Sequence, residues 1–170
     1  MTLIELLVAT LAGLVVIGGA FTMFAGAIHS QPRDSAKVAA MQEARTIVDR
    51  ITRELRQGWE TPTATASKLA IVTYVKAATC GGASASTAIP CRVTYTCSGT
   101  ICTRVVAQPN GSFPGPSTRV ASGLTTPNVF SYSPSSADPS YIGVTLSVAG
   151  SGQPFTLSDG VTMRNLSEES

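Results

Sequence analysis

The chain begins with MTLIELLVATLAGLVVIGGAFTMFAGAI, residues 1–28, and this stretch decides how the rest of the sequence is interpreted. After Glu5, residues 6–28 contain no charged side chain. At about 1.5 Å per residue, a helix over residues 3–28 is long enough to span a bilayer. A carboxylate within hydrocarbon costs several kcal/mol unless it has a partner or lies near the surface. The position of Glu5 therefore needs an explanation.

Three interpretations of this apolar segment are open. A cleaved secretory signal begins with basic residues, and no Lys or Arg precedes Arg33, although Ala25-Gly26-Ala27 imitates a small-residue cleavage site. A plain membrane anchor explains the length of the segment but not Glu5. A helix that leaves the membrane and packs against copies of itself explains both, because a cation of a neighbouring copy can then pair with the carboxylate.

Glycine and proline predict where this helix weakens. Each glycine inside a helix costs roughly 1 kcal/mol relative to alanine, and small residues also permit close helix–helix approach. The adjacent pair Gly18 and Gly19 is the predicted weak point. Pro32 removes a backbone donor and disfavours helix at Gln31, so a kink or short break is expected near residues 29–33.

Helical periodicity resumes beyond Pro32 in a charged segment. Residues 33–58 hold six basic and four acidic side chains. Apolar residues recur at steps of three and four and predict one buried stripe made of Val38, Met41, Ala44, Val48, Ile51 and Leu55. Opposite charges at i,i+4 predict weak surface pairs, namely Arg45–Asp49, Asp49–Arg53 and Arg50–Glu54. Gly58 is the expected stop of the helix.

The remainder of the chain alternates short strand patterns with loops rich in Pro, Gly and Ser. Strands are predicted at 69–76, 92–96, 101–107, 118–121, 129–132, 142–148, 155–157 and 161–164, with a turn at Asp159-Gly160 before the last. No βαβ unit follows residue 58. The predicted fold is therefore α+β: an apolar helix over 1–28, its amphipathic continuation over 29–58, and a head over 59–170 whose antiparallel β-sheet packs on the continuation.

All four cysteines, Cys80, Cys91, Cys97 and Cys102, lie in one short stretch. Their spacing does not match the paired C-x2-C of zinc ribbons, so disulfides and an oxidising compartment are the better interpretation. Cys97 and Cys102 flank the hairpin turn at Ser98-Gly99-Thr100, which favours the pairs Cys97–Cys102 and Cys80–Cys91. Crossed pairings remain open.

Composition argues against several classes of function. Charged residues make up 13% of the 170 residues and the net charge is +2, which is too little clustered charge for a nucleic-acid partner. There is no Ser/His/Asp or Cys/His set and no phosphate-binding glycine loop, so neither an enzyme nor a cofactor or metal site is predicted. The single tryptophan and the four tyrosines are better interpreted as core or sheet residues than as a platform on which nucleic-acid bases stack: Trp59, Tyr74, Tyr95, Tyr132 and Tyr141.

The N-terminal motif resembles that of the mature type IV pilins and pseudopilins. The resemblance rests on residue 1 followed by Thr2-Leu3-Ile4-Glu5-Leu6-Leu7 and an unbroken apolar helix, about a sixth of the chain. The order of helix, antiparallel sheet and disulfide-bearing region agrees with it. Fragments of the tail, such as Val93-Thr94-Tyr95 and the run 160–165, resemble the J/W-type minor branch. The family's common proline within the apolar half is missing, and Gly18-Gly19 or Pro32 would take over its loosening role.

The resemblance implies a structural, non-enzymatic subunit of an extracellular filament, and it leaves open whether the filament serves in adhesion, motility, DNA uptake or secretion. A prepilin peptidase would cut before Met1 and N-methylate it, unless Met1 is a translation start. The subunit would wait in the cytoplasmic membrane and then join a helical polymer through its N-terminal helix, with Glu5 paired to the N-terminus of a neighbouring subunit. The alternatives are a minor pilin or type II secretion pseudopilin, and a monomeric membrane-anchored binding domain of the envelope.

Overall fold

The computed structural model describes residues 2–76, 80, 87–150 and 153–163, and side chains for the same residues except 27–37. The chain divides into two compact units, residues 1–39 and 40–170. One helix, α1 (Leu3–Arg56), contributes residues to both, and eight strands belong to the second unit. The predicted α+β class, an apolar N-terminal helix followed by antiparallel strands, is confirmed.

The predicted break at Pro32 is wrong, because α1 is helical without interruption from Leu3 to Arg56. A proline inside a helix removes one backbone donor but keeps a helical φ, so flanking residues can continue the helix on both sides. The helix is also uninterrupted at Gly18 and Gly19. It ends where expected: Gly58 follows closely, and its N–H donates to the carbonyl of Leu55 at 3.0 Å.

Two antiparallel sheets form the head, rather than the single sheet that was expected. Sheet A has the order β1-β2-β3-β4-β5 and sheet B the order β6-β7-β8. The strands are β1 (Glu60–Thr65), β2 (Lys68–Val75), β3 (Ile89–Ser98), β4 (Ile101–Ala107), β5 (Thr118–Ser122), β6 (Phe130–Pro134), β7 (Pro139–Val148) and β8 (Phe155–Thr162). The N–H groups of Val129 and Phe130 both donate to the carbonyl of Ala66, which ties the first strand of sheet B to the β1–β2 turn.

Two strand predictions need correction. The Asp159-Gly160 turn does not exist, because both residues lie inside β8 and pair with Val144 and Gly143 of β7. A ten-residue partner strand outweighs the local turn preference of an Asp-Gly pair. Strand β1 was missed because its sequence, ETPTAT, contains a proline. β1 is the edge of sheet A, and its register shifts between Glu60 and Thr63, which is where an edge strand tolerates Pro62.

The core of the second unit combines the last part of α1 with the inner faces of both sheets. The helix supplies five apolar side chains, of which Ile47 was not predicted: Ala44, Ile47, Val48, Ile51 and Leu55. The predicted stripe is wrong at its start, because Val38 is exposed and Met41 only half-buried. Val38 belongs to the first unit, where none of the described side chains is buried.

Candidate assembly surface

The first unit exposes an apolar surface all round its helix. Leu3–Gly26 has a mean hydropathy of 2.3 and none of it is buried within the chain. By length and composition this segment can cross a membrane, a property that it shares with signal sequences. Exposing a helix that is apolar on every side to water is unfavourable, and lipid or other apolar helices can cover its surface. The segment is therefore the candidate anchoring and assembly surface.

Two threonines interrupt this surface without leaving an unpaired polar group. The hydroxyl of Thr10 donates to the carbonyl of Leu7 at 2.9 Å, and that of Thr22 donates to the carbonyl of Gly19 at 2.8 Å. In an apolar environment every such group must be satisfied internally. Both threonine hydroxyls are thus satisfied within the helix. Glu5 is the one charged residue of the segment 3–26.

Glu5 is engaged by the start of its own helix. Its Oε2 accepts a hydrogen bond from the backbone N–H of Thr2 at 3.1 Å, while the N–H of Glu5 donates to the carbonyl of Thr2, also at 3.1 Å. This is one half of a capping box, with Thr2 as the N-cap residue and Glu5 three positions on. The sequence signal, Thr-x-x-Glu before an apolar run, was present and was not used.

The expected partner of Glu5 lies outside the described residues. Met1 is not among them, so the predicted pairing with a neighbour's N-terminus remains a prediction. The helix N-terminus itself favours a carboxylate, because its unpaired N–H groups carry a partial positive charge. Glu5 thus has a local reason to occupy this position besides the one that the pilin resemblance implies.

The glycines of the apolar helix leave open space around the backbone. A Cβ added at Gly13, Gly18, Gly19 or Gly26 would meet no atom within 4 Å. The glycines are therefore not required by packing inside the chain. Because these positions have no side chain, a second helix can approach the backbone closely there, as small residues allow in apolar surroundings.

The second unit contains a largely buried ionic cluster around Glu54 of α1. The guanidinium of Arg104, on β4, donates to both carboxylate oxygens of Glu54, at 2.7 and 3.3 Å, and the hydroxyl of Tyr95, on β3, donates to the same carboxylate at 2.6 Å. Arg104 is only 8% exposed. The cluster fastens the helix to sheet A at a defined position.

Burial and the ion pair govern protonation in this cluster. Burial, and after it the neighbouring Glu54 carboxylate, raise the pKa of Tyr95 far above that of a free phenol. Burial alone would lower the pKa of Arg104, but the carboxylate of Glu54 outweighs it and the pKa is raised. Tyr95 therefore stays neutral and Arg104 charged, which keeps the donors of both side chains directed at Glu54.

Of the three predicted surface ion pairs, all of them between described residues, only Arg50–Glu54 is present in the structure. Arg50 lies 3.6 Å from Glu54, as its i,i+4 spacing suggests. The pairs Arg45–Asp49 and Asp49–Arg53 were wrong, because among the described residues the only ion pairs involve Glu54. The dominant partner, Arg104, is 50 residues away in sequence and only the packing of β4 on α1 brings it close.

The cysteines are joined as Cys80–Cys91 and Cys97–Cys102, and none is free. Cys97 and Cys102 are opposite each other in the β3–β4 ladder, on either side of a turn in which Gly99 has a φ of +56°. Of the loop between Cys80 and Cys91, residues 81–86 lie outside the described part of the chain. Both disulfides are buried and belong to the core of the second unit.

No group of three or more metal-ligating side chains occurs among the described residues. Searches of protein-family models, curated proteins and solved structures found no match to this chain.

Proposed function

We propose that the chain is a structural subunit of a type IV pilus filament that polymerises through its N-terminal helix. The observation that carries the proposal is the 24-residue apolar segment Leu3–Gly26, exposed all round, with one carboxylate near its start. The resemblance of Thr2-Leu3-Ile4-Glu5 and the following residues to the pilins suggests that this surface packs in the core of a filament. A minor pilin or a type II secretion pseudopilin would use the same surface in the same way.

In this proposal the subunit exchanges lipid for other helices. After processing by a prepilin peptidase, it resides in the cytoplasmic membrane by residues 3–26. An assembly machine then lifts it into an extracellular fibre, where the same residues pack among the helices of neighbouring copies. Because lipid and helix surfaces are both apolar, the transfer need not expose the segment to water. The open space at Gly13, Gly18 and Gly19 favours close packing of these helices.

Glu5 sets the axial register of the polymer. A buried carboxylate is most costly when unpaired, so the position that brings a neighbour's N-terminal ammonium to Glu5 has the lowest cost. The hydrogen bond from the N–H of Thr2 satisfies part of the carboxylate before assembly. The ion pair therefore contributes to specificity of register more than to net stability.

Substitution of Glu5 tests the proposal. Glu5→Gln keeps the size and the hydrogen-bond acceptor but removes the charge, so we expect membrane insertion to remain normal and the yield of sheared fibres to fall at least tenfold. Fractionation of membranes measures the first, and electron microscopy with quantification of the sheared fraction measures the second. Glu43→Gln is the matched control, because Glu43 is an exposed acidic residue of the same helix. A normal fibre yield from Glu5→Gln would contradict the proposal.

The second candidate function is a monomeric, membrane-anchored binding domain of the envelope. The observation that favours it is that Glu5 already has a partner within its own chain, the N–H of Thr2. On this hypothesis Glu5→Gln costs the helix about 1 kcal/mol or less at its cap, and nothing else changes. The two candidates differ in a single readout, since only the pilin produces fibres that contain the wild-type chain.

A further inference from the structure

Sheet B presents an outward face without a single charged side chain. The ladder pairs Tyr141 with Thr162, Gly143 with Gly160, Thr145 with Ser158 and Ser147 with Thr156. Ser131 and Ser133 of β6 pair with Gly143 and Tyr141 and continue this face. The opposite face holds the buried core residues Ile142, Val144 and Leu146. The outward face consists of Ser131, Ser133, Tyr141, Gly143, Thr145, Ser147, Thr156, Ser158, Gly160 and Thr162.

Sheet A provides the contrast within the same unit. Its outward face also carries threonines, among them Thr96 and Thr103, which are paired across β3 and β4. Arg119 is paired with Thr103, and Lys68 is paired with Thr96 on the other side. The outward face of sheet A is therefore basic, whereas that of sheet B is neutral. The hydroxyl-rich strands alone do not explain the missing charge.

The hydroxyls of the neutral face are arranged in rows. Thr145 and Ser158 are joined by a hydrogen bond of 3.1 Å between their hydroxyls, and the hydroxyl of Thr156 donates to that of Ser147 at 3.3 Å. Each hydroxyl has one donor and two acceptor positions, so each pair keeps free capacity toward solvent. Sheet geometry spaces such side chains about 4.8 Å across strands and about 6.7 Å along them. The face is a regular grid of fixed hydrogen-bonding groups.

Tyr141 adds an aromatic ring to this hydroxyl-rich face. Its ring lies over Gly160, where an added Cβ would collide with Oη and Cζ, and it passes Gly143 at ordinary contact distance, since a Cβ added there would lie 3.5 Å from Cε1. The missing side chain of Gly160 therefore leaves the room in which the ring lies against the backbone. One side of the ring is covered by the sheet, and Tyr141 as a whole remains 43% exposed. Part of the tyrosine surface is therefore accessible to a ligand.

We propose that this face binds an uncharged polysaccharide. A pyranose ring presents C–H groups on its flat face, which match the apolar surface of an aromatic ring, and hydroxyls at its edge, which match fixed hydroxyl donors and acceptors. Because the strands contribute no ionic side chain to this face, a neutral ligand that stays on it desolvates no charge. An anionic polymer would need the cations that sheet A has and sheet B lacks. The inference does not rest on the proposed filament, since it concerns the second unit alone.

The test is retention of the full chain on insoluble polysaccharides. The chain, in a polyoxyethylene detergent because sugar-headed detergents would compete, is passed over microcrystalline cellulose and over chitin, with an anionic carboxymethyl cellulose as comparison. We expect retention on at least one of the two neutral polymers. Tyr141→Ala should weaken it at least tenfold, and Tyr141→Phe should retain most of it, because the ring surface and not the hydroxyl carries the contact.

Two controls separate binding from folding. Tyr74→Ala is the matched variant, because Tyr74 is a 53% exposed tyrosine of sheet A, and it should leave retention unchanged. Thr145→Lys places a long solvated side chain on the neutral face without touching Gly143 or Gly160, and it should weaken retention if Tyr141→Ala proves unstable. Thr96→Lys is its control on sheet A. Intact disulfides and an unchanged thermal midpoint identify the folded variants.

Several outcomes would overturn the inference. Loss of the wild-type chain in the wash from both neutral polymers would exclude it, as would equal retention of folded Tyr141→Ala or Thr145→Lys. Retention on the neutral polymers that is lost on addition of salt would show that the basic outward face of sheet A, and not the charge-free face, carries the binding. Self-association that is lost in Tyr141→Ala, without retention on either neutral polymer, would assign the face to a second copy of the chain instead.

Discussion

At the scale of single residues, the carboxylates of Glu5 and Glu54 on α1 differ in how far the sequence predicts their partners. Glu5 lies three positions after Thr2, and a local capping rule accounts for the hydrogen bond between them. Glu54 also has a local partner, Arg50, but its short contacts are with Arg104 and Tyr95. Those contacts arise from sheet packing, and no periodicity in the sequence indicates them. Local spacing alone is not sufficient either, because Arg45–Asp49 and Asp49–Arg53, whose side chains are all described, share the spacing of Arg50–Glu54 and form no ion pair.

Removing Arg104 should destabilise the second unit strongly. Arg104→Met keeps the length of the side chain but leaves the carboxylate of Glu54 without its main donor, and such a broken buried pair costs about 3 kcal/mol or more. Urea unfolding of the detergent-solubilised chain measures the loss. Arg53→Met, at an exposed position of the same helix, should change the free energy of unfolding by about 0.5 kcal/mol or less. A cost below about 1 kcal/mol for Arg104→Met would show that the cluster contributes little.

At the scale of elements, strands were predictable where an apolar pattern or a cysteine pair marks them. The β3–β4 hairpin follows from two strand patterns around Ser98-Gly99-Thr100, and its ladder places Cys97 opposite Cys102. Local rules failed where a partner strand overrides them, as at Asp159-Gly160 inside β8, and where the strand is an edge, as in β1. The uninterrupted helix at Pro32 belongs to the same class of error, because one lost hydrogen bond does not end a helix that continues on both sides.

The two disulfides should contribute unequally to stability. In the chain-entropy relation, the larger loop closed by Cys80–Cys91 corresponds to about 3 kcal/mol and the smaller loop of Cys97–Cys102 to about 2 kcal/mol. The paired Cys→Ala variants of each bridge, unfolded in urea under identical conditions, measure the difference. Selective alkylation with mass spectrometry serves as the control that the remaining bridge is intact. The opposite ranking would mean that packing around the hairpin, and not loop closure, dominates.

At the scale of the whole molecule, the chain combines two units with opposite demands on their surroundings. Residues 1–39 have no buried side chain among those described, and their segment Leu3–Gly26 is apolar, whereas residues 40–170 contain a core, two sheets and both disulfides. Five residues of the helix, the first of them Ala44 and the last Leu55, belong to that core. The part of α1 that a head domain requires therefore begins near residue 40.

A fragment of residues 40–170 should fold without detergent. We expect it to be monomeric in size-exclusion chromatography after expression in an oxidising compartment, and to retain a cooperative thermal transition, because its core is complete. A fragment of residues 59–170 is the matched control: it lacks the five helical core residues and Glu54, so it should aggregate or unfold. Aggregation of the longer fragment would show that residues 1–39 contribute to the stability of the head.

The sequence by itself determined the features that depend on neighbouring residues: the apolar helix with its carboxylate at position 5, the α+β order, and the hairpin whose turn lies between Cys97 and Cys102. Helix length, hydropathy and strand alternation are local properties, and each can be computed within a short window. Only the tertiary structure decided that the head has two sheets, that Arg104 is the main partner of Glu54, and that Tyr141 lies over Gly160. These features join residues from different strands, and their geometry depends on the register and packing of elements that no local window contains.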